Sequence, residues 1–285
     1  MNEFYNEIMA LEDAEEIQAV VKRWNNLSEN IKVKPANKPV ILPDMLWIAK
    51  SGVGRTSLLK LLSGYLYEKG NLMDFYGDVR YFEFMLGYCK RDEVFTELQR
   101  LTDEIRNAAG FRNEYRGIIH IDVNEWLRHL DDLYFASFME FLSSNRDNWL
   151  VILSAYSDKE EEIKKLEAVV SMYLRIETVT IGLPKTESLV AFVEKELEDY
   201  GLNVDESAKK LLAETIDKLR GSKFFDGYKS LKMLCQDIVY TFFSECSVQC
   251  DTVTAAHLDR FSANSEYIEK MLYNIEKTRK IGFAQ

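Results

Sequence analysis

Apolar positions along this chain follow two rhythms. Ile17, Val20, Val21, Trp24 and Leu27 recur at helical spacing, which predicts an amphipathic helix over residues Asn2 to Asn30. Pro35, Pro39 and Pro43, three of the four prolines, then mark an extended connector. Beyond it, short apolar runs predict strands at Met45–Ala49, Asp78–Leu86, Gly117–Asp122, Trp149–Ala155 and Glu177–Ile181. Helical periodicity separates them at Ser57–Glu68, Arg91–Ala109 and Asp131–Ser143. Past Pro184 the strand rhythm stops. Thr186–Tyr200, closed by Gly201, Asp205–Arg220 and Tyr228–Glu245 read as helices, with a short one at Thr252–Phe261 and a charged one at Glu266–Lys280.

Strands alternating with helices predict a mainly parallel sheet covered on both faces. The expected plan is a helix and connector (1–43), an α/β core (44–184), an all-α domain (185–262) and a C-terminal helix (263–285).

Composition narrows the partners. The chain has 36 basic and 47 acidic residues, a net charge of -11. That disfavours nucleic acid and an anionic membrane, both of which need a basic face. No apolar run reaches membrane-spanning length, and residues Met1 to Ala10 lack the pattern of a signal peptide. Cys89, Cys235, Cys246 and Cys250 form no C-x-x-C pair and read as reduced thiols. A soluble cytoplasmic protein is expected.

The chemistry concentrates in two places. Residues Ala49 to Thr56 (AKSGVGRT) lie between the first strand and its helix. A phosphate loop reads G-x-x-x-x-G-K-[ST]. Here Ala49 replaces the first Gly and Arg55 the Lys, while Gly52, Gly54 and Thr56 fit. Such a loop turns its amides inward at a helix N-terminus, which favours an anion. Ser51, Gly52, Val53, Gly54, Arg55, Thr56 and Ser57 are therefore the candidate phosphate-binding residues. The plain alternative is an ordinary glycine-containing turn. The second place is Asp122, at the end of the strand Ile118-Ile119-His120-Ile121-Asp122. It suits Mg2+, together with Thr56, or equally a helix N-cap. Glu125 reads first as a first-turn helix acid, with catalysis as the alternative. His120 reads as a packed histidine.

The order of these segments resembles that of AAA+ P-loop ATPases, nearest the branch of red-type rubisco activases and type VII secretion ATPases. The residues that carry the likeness are Val151 to Lys159 (VILSAYSDK), Tyr173-Leu174-Arg175-Ile176, Tyr67 to Leu72, and Thr180 to Pro184 with the helix after it. It spans roughly Met45 to Phe261. The resemblance implies ATP or ADP with Mg2+ as cofactor and a helical lid after the core. Ser154 or Tyr156 would then lie in the sensor-1 region and Arg175 would be a finger offered to a neighbouring subunit. Lys229, in Gly227-Tyr228-Lys229-Ser230, would hold the sensor-2 place usually taken by Arg. It also implies a Glu after Asp122, where Val123 stands. Arg175 read alone is a strand-edge charge, and Lys229 a first-turn surface residue.

Two functions follow. One is an AAA+-like module with a degenerate site, binding ATP or ADP weakly, hydrolysing little, and serving to bind a protein partner or assemble an oligomer. The other is an active, divergent ATPase that remodels a protein client. Losing the water-orienting acid and moving the cation removes several kcal/mol of transition-state stabilisation, at about 1.4 kcal/mol per tenfold.

Overall fold

The computed structural model describes residues 3–35, 40–72, 81–85, 96, 117–144, 149–222, 225–245 and 250–258. The expected helices at Arg91–Ala109 and Glu266–Lys280 lie outside these residues, Thr96 apart, as do Cys89 and Cys246. The chain divides into two compact units, 1–50 with 55–182, and 51–54 with 183–285.

The first unit is an α/β layer structure. Strands β1 (Asp44–Ala49), β2 (Tyr81–Met85), β3 (Gly117–Asp122), β4 (Trp149–Ala155) and β5 (Ile176–Ile181) form one parallel sheet in the order β2-β3-β4-β1-β5. Burial of β3 at every position explains its unbroken apolar run. Period-two alternation divides the strands into two faces. Leu46, Ile119, Ile121, Val123, Val151, Leu153 and Ala155 point to one face. There they pack with α4 (Leu133–Ser144), α5 (Glu160–Ser171) and a 3-10 turn at Asn124–Arg128. Trp126, Phe135 and Phe138 supply the aromatic centre of that core.

The predicted first helix is two helices, α1 (Glu3–Met9) and α2 (Glu15–Val33). Asp13 between them has φ 55. The Gln18 side-chain amide of α2 donates to the carbonyls of Ile8, Met9 and Leu11, which satisfies the open end of α1. The predicted stripe of α2 is buried, Leu27 excepted: Ile17, Val20, Val21 and Trp24 are at most 3% exposed. Glu16 accepts from the Thr180 amide, and Arg23 pairs with Glu177. The helix thus covers edge strand β5, a place where bare backbone invites foreign strands. α3 (Arg55–Glu68) packs against α1, with Phe4 lying where a Cβ on Gly64 would stand.

The second unit is mainly helical: α6 (Thr186–Glu198), α7 (Glu206–Arg220) and α8 (Gly227–Glu245). Asp205 caps α7 by accepting from the Ala208 amide at 2.7 Å. Leu189, Val193, Leu212, Ile216, Leu231, Leu234 and Ile238 form its core. Where a helix was expected from Thr252, the chain first makes a strand pair, β6 (Asn203–Val204) with β7 (Thr252–Val253), and turns helical only at 255–258. β-branched Thr252 and Val253 suit the strand, and the fold supplies the partner. Cys235 and Cys250 are free, and burial pushes the Cys235 thiol up to about 12. Among the described residues no helix is long and apolar enough to cross a membrane.

Candidate nucleotide-type site

The polar residues of interest share the sheet face opposite the aromatic core. Glu83 pairs with His120 across β2 and β3, and Asp122 pairs with Ser154 across β3 and β4. Residues directly opposite in a sheet point the same way, and His120 and Asp122 are two apart on one strand. Four polar side chains are therefore gathered on one face near the carboxyl ends of parallel strands. That end is where open α/β sheets place ligands. Trp47 of β1 lies on the same face, its ring 5.5 Å from that of His120.

Arg55, first residue of α3, reaches into this group. Its Nη1 donates to Asp122 Oδ2 at 2.7 Å and to Ser154 Oγ at 2.7 Å. The Arg55 and Asp122 side chains are only 12% and 9% exposed. His120 Nε2 lies 2.9 Å from Ser154 Oγ, and its Nδ1 lies 3.3 Å from Glu83 Oε1. Thr56 Oγ1 donates to the same Glu83 oxygen at 3.0 Å. Because Ser154 accepts from Arg55, its own proton is free to go to His120 Nε2. The tautomer that suits this chain carries its proton on Nδ1 and donates to Glu83. Arg55 Nη1, Ser154 Oγ, His120 Nδ1 and Thr56 Oγ1 then each meet an acceptor. Asp122 Oδ1 is also engaged, by the Asn124 amide at 3.0 Å.

The order Ser154, His120, Glu83 copies a hydrolase triad, but the setting forbids that chemistry. Ser154 is fully buried, and its hydroxyl already holds a guanidinium, so no carbonyl can approach it.

The His120 hydrogen bond, then Thr56 and the Arg55 charge, hold the Glu83 carboxyl below its ordinary value of 4.5 against the opposing effect of burial. A depressed carboxyl stabilises the fold above its unfolded pKa and loses that contribution as pH falls through the folded value. Urea midpoints measured from pH 7 to pH 3 should therefore drop below about pH 4.5, where Glu carboxyls titrate. Glu83→Gln should show a smaller acid-dependent drop. An identical profile for the variant would remove Glu83 from the network.

The loop belongs to the second unit. Gly52 and Gly54 have φ 77 and 90, and Gly227 has φ 49. The Gly52 carbonyl accepts from the Tyr228 amide at 2.9 Å. A Cβ on Gly52 would lie 2.0 Å from the Asp226 carbonyl oxygen, and one on Gly227 2.2 Å from the Gly52 oxygen. Two backbones touch here, and only glycine allows it. Gly52→Ala should lower stability by about 1–2 kcal/mol from the positive φ alone, with the contact adding to it. Gly182→Ala, which meets nothing within 4 Å, is the neutral control. Equal urea midpoints for the two variants would contradict the close approach.

The other predicted residues lie on several separate elements. Ser51, Thr56 and Ser57 are exposed, and Val53 is 7% exposed. Glu125 is exposed on the 3-10 turn, whereas Val123 is wholly buried in the aromatic core. Tyr156 receives Lys50 over its ring at 4.6 Å, and its amide donates to Asn124 Oδ1. Arg175 precedes β5 with its side chain exposed, while its carbonyl accepts from the Asp44 amide. Lys229 is 77% exposed and lies 3.8 Å from Asp226. Sequence reasoning did not assign Glu83 and His120 to the site. The signal available for both was a polar residue inside an apolar run, at Glu83 in YFEFM and His120 in IIHID.

The class is thus an α/β protein with a glycine loop joining its first strand to a helix, and a helical unit after the core. No family model matches the chain, and no curated protein matches it in sequence. Solved structures do match. A mutant of Thermotoga maritima RuvB is 12% identical over 86% of this chain and 69% of its own, with TM-score 0.52. C. elegans PCH-2 is 17% identical over 92% of this chain and 69% of its own, with TM-score 0.56. Both are AAA+ ATPases. The fold of this chain is that of the AAA+ ATPases.

AAA+ ATPases of this fold generally bind ATP or ADP with Mg2+. The residues present do not fit the metal as they stand. Asp122 Oδ2 is already held by the Arg55 guanidinium at 2.7 Å, which supplies the positive charge a divalent ion would bring. Among the described residues no three His, Cys, Asp or Glu side chains gather to hold an ion.

Proposed function

We propose that this chain is an AAA+-fold protein with a degenerate nucleotide site. It binds ATP or ADP weakly, hydrolyses little, and acts as a partner-binding or assembly module. The observation that carries this reading is the pairing of Arg55 with Asp122 and Ser154. The loop cation and the acid meant for Mg2+ neutralise one another, so neither presents charge to a developing phosphoryl transition state. The position after Asp122 adds to this, because buried Val123 offers no acid to orient water. The nearer likeness to red-type rubisco activases and type VII secretion ATPases rests on Val151 to Lys159 and Tyr173 to Ile176, and belongs to the same reading.

Phosphate release from ATP with Mg2+ is expected at the level of a protein-free blank. Turnover that is abolished by Thr56→Ala would overturn the degenerate site and favour the divergent ATPase. The observation on that side is Glu83, an acid held ionised beside Thr56. Exposed Arg175 and Lys229 fit contacts made in an assembly, as homo- or hetero-oligomer. A strict monomer by light scattering, with and without nucleotide, would count against Arg175 as a finger.

A further inference from the structure

The Arg55 contacts go beyond a weakened site, and we infer that Arg55 is a resident cation that keeps Mg2+ out. While its guanidinium bridges Asp122 and Ser154, the only nucleotide chemistry left open is a phosphate group taken without metal. The inference rests on the degenerate-site reading and makes it specific.

Three observations support it. The first is position. Arg55 opens α3 at the place where a phosphate loop has its lysine, so its side chain starts where a phosphate-binding cation starts. The second is what the side chain does there. One nitrogen carries two hydrogen bonds of 2.7 Å, to the acid of β3 and the hydroxyl of β4. A lysine ammonium is a point charge on a flexible stem. A guanidinium is a rigid planar fork that holds carboxylates better. The third is closure. Ser154 is turned towards His120 and His120 towards Glu83, so the partners of Arg55 are themselves held. Thr56, the other expected metal-side group, is tied to that same Glu83 oxygen. A divalent ion using Asp122 would have to displace Arg55 from it. Its approach to the bridged site is opposed by a cation already in place.

The arrangement also explains why the substitution at position 55 goes with retained Asp122. An acid at a buried strand end needs a counter-charge. With Arg55 supplying it permanently, the site no longer depends on a metal that comes and goes with nucleotide.

The test uses the full chain with fluorescent ADP and ATP analogues, each titrated in excess Mg2+ and in EDTA, with folding checked by circular dichroism. For the native protein, affinities with and without Mg2+ should agree within about twofold, close to the resolution of such titrations. Arg55→Lys loosens the bridge and should make ATP binding at least about tenfold tighter with Mg2+ than with EDTA. Should Arg55→Lys fail to fold, Arg55→Gln serves instead. It frees Asp122 without adding charge and should show the same metal preference at weaker affinity. Metal-dependent binding by the native protein overturns the inference. So does a variant that folds yet shows no metal preference, or binds nothing. A native protein that binds neither nucleotide, beside a variant that binds with Mg2+, supports the resident cation. That same result removes weak binding from the proposed function, so the two failures are separable.

Discussion

Asp122→Ala should destabilise the first unit by about 3 kcal/mol, the usual size when a buried ion pair loses one partner. Among the described residues Arg55 would keep the Ser154 hydroxyl as acceptor, with its side chain 12% exposed. The Asn124 amide would lose its acceptor as well. Arg55→Ala should cost less, because an aspartate at a strand end can recruit water. Joining the two substitutions should cost less than their sum, with a coupling of about 1–3 kcal/mol for groups in direct contact. Urea unfolding of the three variants and the native chain measures it. A site built to hold metal behaves oppositely. There the acid is a surplus charge until metal arrives, and its removal is neutral or stabilising. Additive losses, or a stabilised Asp122→Ala, would show that Arg55 and Asp122 are not a working pair.

The second large effect is at Val123. Placing an acid after the strand aspartate, by Val123→Glu, should unfold more protein than it activates. Val123 is fully buried in the cluster that holds Trp126, Phe135, Phe138 and Met139. A carboxylate there has no partner, and burying it unpaired costs several kcal/mol or forces it to stay protonated. The thermal midpoint should fall by about 10 °C or more, at roughly 2–4 °C per kcal/mol for a chain of this size. Phosphate release should stay at blank level. A variant that is stable and hydrolyses ATP would mean that position 123 can turn towards the sheet face where Glu83, His120 and Asp122 lie. That outcome would overturn the proposed degenerate site.

Much of this fold was legible in the sequence, because burial leaves a periodic mark. β3 reads as a strand since every one of its positions is buried, and β4 likewise after its first residue. α2 reads as a helix since one stripe of it is buried. The turn at Gly52 and Gly54 also reads directly, because positive φ asks for glycine. Local errors came where neighbours distant in sequence overruled local preference. The chain breaks at residues 10–14, which shortened α1, and Gln18 then repairs the broken end. Thr252 and Val253 became a strand because Asn203 and Val204 lay ready to pair with them.

The candidate site divides along the same line. Spacing put Arg55 in the glycine turn before α3 and the apolar run put Asp122 at a strand end, while the expectation of an acid at Val123 came from the resemblance. They could not give the contacts, since Arg55, Glu83, His120, Asp122 and Ser154 span four different elements. Register decided those. It set Glu83 opposite His120 and Asp122 opposite Ser154, and so made Arg55 one end of a hydrogen-bonded chain. Which residues face each other across a sheet depends on strand order and on the packing that selects it, and neither is written in any one segment.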